Sequence, residues 1–365
     1  LFIDSHQDYA FNILLTKRDY RRSVAETRAL DANTNYLSEV GVALLGWPEY
    51  QRANLAIFFG TLFILSAEKS TPVTKNYTYH DFHEAGKLYQ AEIDIYRQLV
   101  DQSPDMFRMI TNQVDLQDQL SLWQNSPAAY PDKTNPVGIV LLMEGAEGIK
   151  SPGEMHEYYE QGLRLVGPVW GGGRFCGSSV KPGPFTNEGK ELMHVMSELN
   201  MGLDISHMDA QSGLYALEHY DGHVIATHGN ALSLVPDFKS ERLFSDDVIR
   251  NIIARDSVMG VMPVNFFLKA NWHSNFDRAM IPLEMLLNHI DYVCQMAGDA
   301  RNVGIGTDFD GGFGLSDIPM EMDSISDIQL IAEGLKNKGY QPADVDAICY
   351  GNWQRMLERI LPSNG

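Results

Sequence analysis

The sequence predicts an α/β protein, a (β/α)8 TIM-like barrel, and three observations predict it. Short apolar runs rich in β-branched residues alternate with longer segments of helical spacing, the pattern of a parallel sheet with crossover helices. Eight such runs can be counted, the number that closes a small barrel. Histidine and carboxylate residues recur where the runs end, on the face where barrel enzymes keep their chemistry.

The eight predicted strands are Leu1–Asp4, Leu55–Leu65, Val137–Met143, Leu163–Val169, Met201–Ser206, His223–Thr227, Val258–Val264 and Asn302–Thr307. Between them, Asp81–Val100 places Ala85, Leu88, Ala91, Ile95 and Leu99 three or four residues apart, which predicts a helix with that stripe facing the core. Glu188–Leu199 follows a Pro-Gly-Pro turn and suits a second helix, and a helix from Ala343 to Leu361 is expected to pack across the barrel. More than 70 residues separate the second and third strands, too many for a simple crossover. Residues 71–136 are therefore expected to be a helical insertion within one barrel spanning 1–365, although a chain of 365 residues would by length alone also suit two domains. The glycine-rich stretch Trp170–Gly177 reads as a long loop after the fourth strand.

Composition narrows the function classes. With 28 Lys plus Arg against 48 Asp plus Glu, the formal charge is -20, which repels phosphate backbones and anionic headgroups and excludes a nucleic-acid binder or a polybasic membrane protein. The longest apolar stretch, Leu55–Leu65, is well short of the roughly 20 residues of a membrane span. Cys176, Cys294 and Cys349 lie far apart, form no CxxC pair and read as small buried residues. Neither end shows a signal peptide or lipid-anchor tail, which slightly favours the cytoplasm, while the strand-like opening Leu-Phe-Ile-Asp leaves open a secreted or periplasmic protein whose leader was trimmed. Asn76-Tyr77-Thr78 fits a glycosylation sequon, a triplet common by chance.

The ionisable residues at the strand ends carry the functional reading. Asp4-Ser5-His6-Gln7-Asp8 follows the first strand, and a period of two puts His6 and Asp8 on one side of an extended chain. Glu144 ends the third strand, His207 the fifth, His228 the sixth and Asp308 the eighth. Taken singly, a histidine at a strand end is ordinarily a hydrogen-bonded structural residue, a Glu before Gly a solvated turn residue, and Asp308 beside Asp310-Gly311-Gly312 an Asx turn. Their joint placement on one barrel face is what those readings leave unexplained. Imidazole with carboxylate suits zinc or a similar divalent ion, and this set is large enough for two metals acting on a hydrolysable carbonyl. Other signatures fail: Gly183-PFTNE-Gly189-Lys190 departs from a phosphate loop in spacing and in the Glu191 that follows, and neither HExxH nor GxSxG occurs.

These blocks, with Met201–Phe267 and Val303–Gly311 as the densest, resemble the membrane (renal) dipeptidase family of zinc peptidases, a branch of the metal-dependent amidohydrolase-type barrels. The resemblance runs from Asp4-Ser5-His6-Gln7-Asp8 to the terminal helix containing Asn352. It implies two Zn²⁺, other divalent ions being possible, with His6 and Asp8 on one ion, His207 and His228 on the other, and Glu144 bridging them. It implies a metal-bridging hydroxide as nucleophile, Asp308 as proton carrier, Arg242 as the anchor of the substrate carboxylate, and a homodimer. Arg suits that anchor because its planar fork meets a carboxylate with two hydrogen bonds; without the resemblance, Arg242 would read as an exposed residue near a helix start.

Two positions depart from the family pattern. Trp170 stands where the family has a histidine that binds substrate and polarises the carbonyl, and an indole donates one N–H but cannot become a cation. Either zinc supplies most of the polarisation, or the nearby Arg174 substitutes, or the substrate is not an ordinary dipeptide. Glu147 stands where relatives often carry a His, and an acid there could attract a substrate ammonium. The expectation is a zinc-dependent dipeptidase acting on a small dipeptide. The alternatives are a hydrolase of N-acyl amino acids or other small amides with the same site, and a non-catalytic ligand-binding barrel.

Overall fold

The protein is described by a computed structural model covering residues 1–363. Eight parallel strands form the barrel: β1 (Phe2–Gln7), β2 (Leu55–Phe63), β3 (Val137–Glu144), β4 (Leu163–Gly167), β5 (Gly202–Asp204), β6 (Val224–Ile225), β7 (Met259–Val261) and β8 (Val303–Ile305). They pair in the order β7-β8-β1-β2-β3-β4-β5-β6, and a parallel bridge between Ala226 and Met259 joins the two ends. All eight predicted strands are present.

Their lengths differ from the prediction, because side-chain hydrogen bonds replace part of the backbone ladder. β1 runs on to Gln7, so His6 lies inside the strand rather than after it. β5, β6, β7 and β8 stop early, and between β5 and β6 and between β8 and β1 side chains take over from the backbone ladder. The Asp4 carboxylate accepts the Thr307 backbone N–H at 2.7 Å and the Thr307 hydroxyl at 2.6 Å. Asp204 does the same for Thr227, at 2.9 and 2.6 Å.

Residues 71–136 carry two helices, Phe82–Gln102 and Gln113–Asn125, but also two short strands, Thr78–Tyr79, which pairs with Leu65–Ser66, and Phe107–Met109, which pairs with the start of β3. The first helix is capped by Asp81, whose side chain accepts the Glu84 N–H. Its buried face is Ala85, Tyr89, Glu92, Ile93, Tyr96 and Leu99, rotated from the predicted stripe, in which Leu88, Ala91 and Ile95 are only half-buried. Polar anchoring sets that rotation: Tyr89 donates to the Gly145 carbonyl at 2.7 Å, Tyr96 to that of Thr61 at 3.0 Å, and Glu92 accepts the Phe63 N–H at 2.7 Å. The insertion thus grips β2 and the turn after β3 near their catalytic ends.

The Glu188–Leu199 prediction corresponds to a helix at Asn187–Glu198 capped by Thr186. The C-terminal prediction corresponds to Pro342–Asp346, a π-helical turn at Ala347–Gly351, and Asn352–Ile360. The last of these packs on the barrel: Trp353 donates to the Ile305 carbonyl at 3.1 Å and lies against Gly304, where a Cβ would come within 2.3 Å of the indole nitrogen. Glycine is required at that contact. All three cysteines are free and buried, and among the described residues no helix is long and apolar enough to cross a membrane.

Candidate metal and substrate site

The strands deliver their side chains with a shared geometry. His207, His228 and Asp308 are each the third residue after β5, β6 and β8, and each is preceded by a hydroxyl residue, Ser206, Thr227 or Thr307. Asp204 holds Ser206 and Thr227, and Asp4 holds Thr307. Two buried carboxylates therefore fix three strand exits and, through them, the three groups that point into the barrel mouth. Sequence reasoning passed over Asp4 and Asp204; the signal was the Ser or Thr immediately before each candidate ligand.

The structure brings all six of the predicted metal and proton-transfer residues together. Glu144, the last residue of β3, divides its carboxylate between two sides: Oε2 is 3.6 Å from His6 Nε2, while Oε1 is 2.6 Å from His207 Nε2 and 3.5 Å from His228 Nε2. His6 Nε2 is also 3.9 Å from both Asp8 and Asp308. Two overlapping groups, His6-Glu144-His228 and His6-Asp8-Asp308, have ligand atoms close enough to share an ion.

The donor set fits a metal. His6 Nε2 and Asp8 Oδ1 are buried and lack any hydrogen-bond partner, which a native interior rarely tolerates without an ion. The His207 and His228 Nε2 atoms face one another at 3.0 Å beside Glu144, and with both rings protonated at Nδ1 they would offer one ion two lone pairs. Burial, then Glu144, pushes Asp8 up to about 7, and burial with the Asp8 and Glu144 charges raises Asp308 well above the carboxylate range. Against burial, Glu144 and then Asp8 and Asp308 push His6 up to about 10. Burial lowers His207 and His228, keeping their nitrogens as lone-pair donors. The buried carboxylates outnumber the positive charges around them, a balance that a bound cation would correct.

Asp308 is held by its neighbours. Asp308 and Asp310 both adopt left-handed backbone, φ 56° and 62°, a conformation that persists where surrounding contacts enforce it. Asp310 accepts the Leu44 N–H at 2.8 Å and the Tyr20 hydroxyl at 3.0 Å, and pairs with Arg18 at 3.3 Å. Asn12 donates to both the Asp8 and the Asp310 carbonyls, at 2.8 and 2.7 Å. At Gly311 a Cβ would come within 2.0 Å of the Asp308 carboxylate, so only glycine leaves that group its place.

A cavity of about 390 Å³ opens above these groups. Arg242 lines it, 7% exposed, with Nη1 donating to the Ser206 and His228 carbonyls and, among the described residues, no acid within ion-pair distance. Trp170 also lines it, edge-on to Phe63 with ring centres 5.0 Å apart. Arg174 and Glu147 do not. The Arg174 guanidinium is committed to Glu188 and to the Ile149 and Lys150 carbonyls, so it is not free to act at the cavity. Glu147 lies in a smaller recess behind Trp170, where burial pushes its carboxyl up to about 7.

With this geometry in view, comparison with known proteins is decisive. The family model described as membrane dipeptidase, peptidase family M19, matches residues 1–361. The chain belongs to this family. Membership makes it a relative of metallo-dipeptidases, in keeping with the buried ligand groups. A Klebsiella pneumoniae protein described as an uncharacterized protein in the pqqA 5′ region is 27% identical over 279 residues, covering 74% of this chain and 94% of that one. Among solved structures, the metallopeptidase from Rhodobacter sphaeroides liganded with a phosphinate mimic of L-Ala-D-Ala has a TM-score of 0.76 at 21% identity, covering 98% of this chain and 99% of that one. The probable dipeptidase PvdM from Pseudomonas aeruginosa has a TM-score of 0.77 at 17% identity, with 99% and 95% covered. These structural likenesses bear on the fold, and the M19 barrel is the one described above.

Proposed function

We propose that the protein hydrolyses dipeptides to free amino acids with two divalent metal ions, zinc by the character of the ligands. His6 and Asp8 would hold one ion, His207 and His228 the other, and Glu144 both. The observation that carries the reading is the division of Glu144, one oxygen facing His6 and the other facing His207 and His228.

When bound, the ions would supply a water acidified enough to attack at neutral pH and a Lewis acid for the scissile carbonyl. The chain's own groups do the rest. Arg242, buried and without an acid partner among the described residues, receives the substrate's C-terminal carboxylate and so places the peptide bond above the ligand cluster. Asp308 accepts the proton of the attacking water on its carboxylate and returns it to the leaving amine, a role supported by its place at the cavity floor beside His6. Trp170 and the neighbouring phenylalanines keep bulk water off the reacting centre.

Dialysis of the full chain against a chelator is expected to abolish dipeptide hydrolysis, zinc to restore it, and elemental analysis to find about two ions per chain. A stripped protein that still cleaves dipeptides overturns the reading. A second reading, hydrolysis of N-acyl amino acids or other small amides with the same groups, is favoured by one observation: the uncharged Trp170 stands at the cavity wall. Parallel assays on dipeptides and N-acyl amino acids separate the two.

A further inference from the structure

The barrel order gives the cavity two sides. Arg242 comes from the loop after β6, and in a closed ring of eight strands the one facing β6 is β2. If Arg242 takes the carboxylate and the ligand cluster the scissile bond, the acyl half of the substrate extends toward the β1 and β2 exits, where the loop after β4 brings Trp170 onto Phe63.

That side is apolar. Phe11 and Leu15 come from the helix after β1, Phe63 from the end of β2 and Leu65 from the short strand that follows it, and Trp170 from the loop after β4. Phe11 meets Phe63 edge-on with centres 5.2 Å apart, and Phe63 meets Trp170 likewise at 5.0 Å, so three rings form one continuous wall. All five side chains are half-buried although they line a cavity close to the barrel axis, which leaves apolar surface facing the space. The carboxylates bordering this side are Asp8 and Glu144, both in the ligand cluster, and the half-buried Glu39. Lys69 lies against Trp170, its Nζ 4.3 Å from the ring centre, and shares the recess behind it with Glu147.

We propose that this wall is the acyl-side subsite and that the preferred substrate is a dipeptide whose N-terminal residue is large and apolar. The proposal rests on the dipeptidase reading above. Filling such a wall removes apolar surface of both partners from water, and in an apolar pocket even one methylene changes kcat/KM by about tenfold or more. A charged N-terminal side chain would lose hydration against the three rings without gaining apolar contact.

The test measures kcat/KM of the metal-loaded full chain on Gly-Gly, Leu-Gly, Phe-Gly, Lys-Gly and Glu-Gly, and on acetyl-glycine and hexanoyl-glycine. Leu-Gly and Phe-Gly are expected to exceed Gly-Gly by about tenfold or more, with Lys-Gly and Glu-Gly at or below it. In Phe63→Ala the ratio of Phe-Gly to Gly-Gly is expected to fall about tenfold, and this ratio is independent of how much of the variant is active. Dipeptide turnover indifferent to the N-terminal side chain, or an unchanged ratio in Phe63→Ala, overturns the subsite and leaves the dipeptidase reading standing. Turnover confined to the acyl-glycines with hexanoyl favoured overturns the dipeptide reading and the dipeptide preference but keeps an apolar wall. No turnover of any substrate overturns both.

Discussion

Arg242 donates Nη1 to the main-chain carbonyl of His228 across 3.2 Å and to that of Ser206 across 3.1 Å. The group assigned to the substrate carboxylate is thereby fastened to the strand exits that carry His207 and His228, so substrate and ligand cluster share one frame. Arg242→Met keeps an extended side chain but removes the charge. A hydrogen bond to a charged group contributes about 1.5–3 kcal/mol, so kcat/KM for dipeptides should fall about 10- to 100-fold, mainly through KM. Metal content should stay at the wild-type level. The same variant should discriminate little between a dipeptide and its C-terminal amide, whereas the wild-type protein should strongly prefer the free carboxylate.

Asp308 is separable from the ligand groups by a different measurement. Asp308→Asn preserves size and removes the proton-carrying oxygen. With Asp308 as proton carrier, kcat should drop about 10²- to 10⁴-fold while elemental analysis finds the same metal per chain. Loss of metal in step with activity would instead make Asp308 a ligand, a role that its place 3.9 Å from His6 Nε2 also permits.

Most of the candidate ligand cluster was legible in the sequence because a histidine or carboxylate that closes an apolar run stands out against it, and His6 and Asp8 at a spacing of two share a face of the chain. Asp4 and Asp204 were not legible, because an acid inside a short apolar run looks like the run's own end. Only the fold reveals that these carboxylates replace backbone ladder bonds, which is also why several strands are shorter than their apolar runs. Arg174 and Glu147 show the opposite limit. Both lie close in sequence to cavity residues, yet Arg174 turns to Glu188 and Glu147 sits behind the Trp170 indole. The helix over Phe82–Gln102 was located correctly but its buried face was not, since Tyr89, Glu92 and Tyr96 are buried through hydrogen bonds that a purely apolar periodicity does not count.

Asp204 gives a prediction about support rather than contact. Its carboxylate accepts the Ser206 and Thr227 backbone N–H groups and both hydroxyls, at 2.6–3.1 Å, while touching none of the candidate ligands' side chains. Asp204→Asn presents an amide N–H₂ to some of those donors. Leaving a buried donor unsatisfied costs about 1–3 kcal/mol, which denaturant unfolding would measure. Because His207 and His228 follow the residues it holds, metal affinity should fall about 10- to 100-fold, as when partners of metal ligands are lost elsewhere. Unchanged metal affinity in a destabilised variant would restrict Asp204 to the fold.

The acid sensitivity of the fold is expected to include one histidine remote from the ligand cluster. His289 is buried, accepts the Ala231 N–H at 3.1 Å through Nδ1, and burial pushes its pKa from 6.5 down to about 4. In the unfolded chain the imidazole takes up a proton near pH 6.5, whereas in the folded protein it resists until about pH 4. Its contribution to stability is therefore complete above pH 6.5 and is lost as pH falls toward 4, by about 2 kcal/mol between pH 8 and pH 5. His289→Gln keeps an acceptor for the Ala231 N–H without titrating. Its unfolding free energy should change less than that of the wild-type protein over this range, the difference being this histidine's share. Parallel pH dependences in the two proteins would show that His289 is not taking up the proton on unfolding.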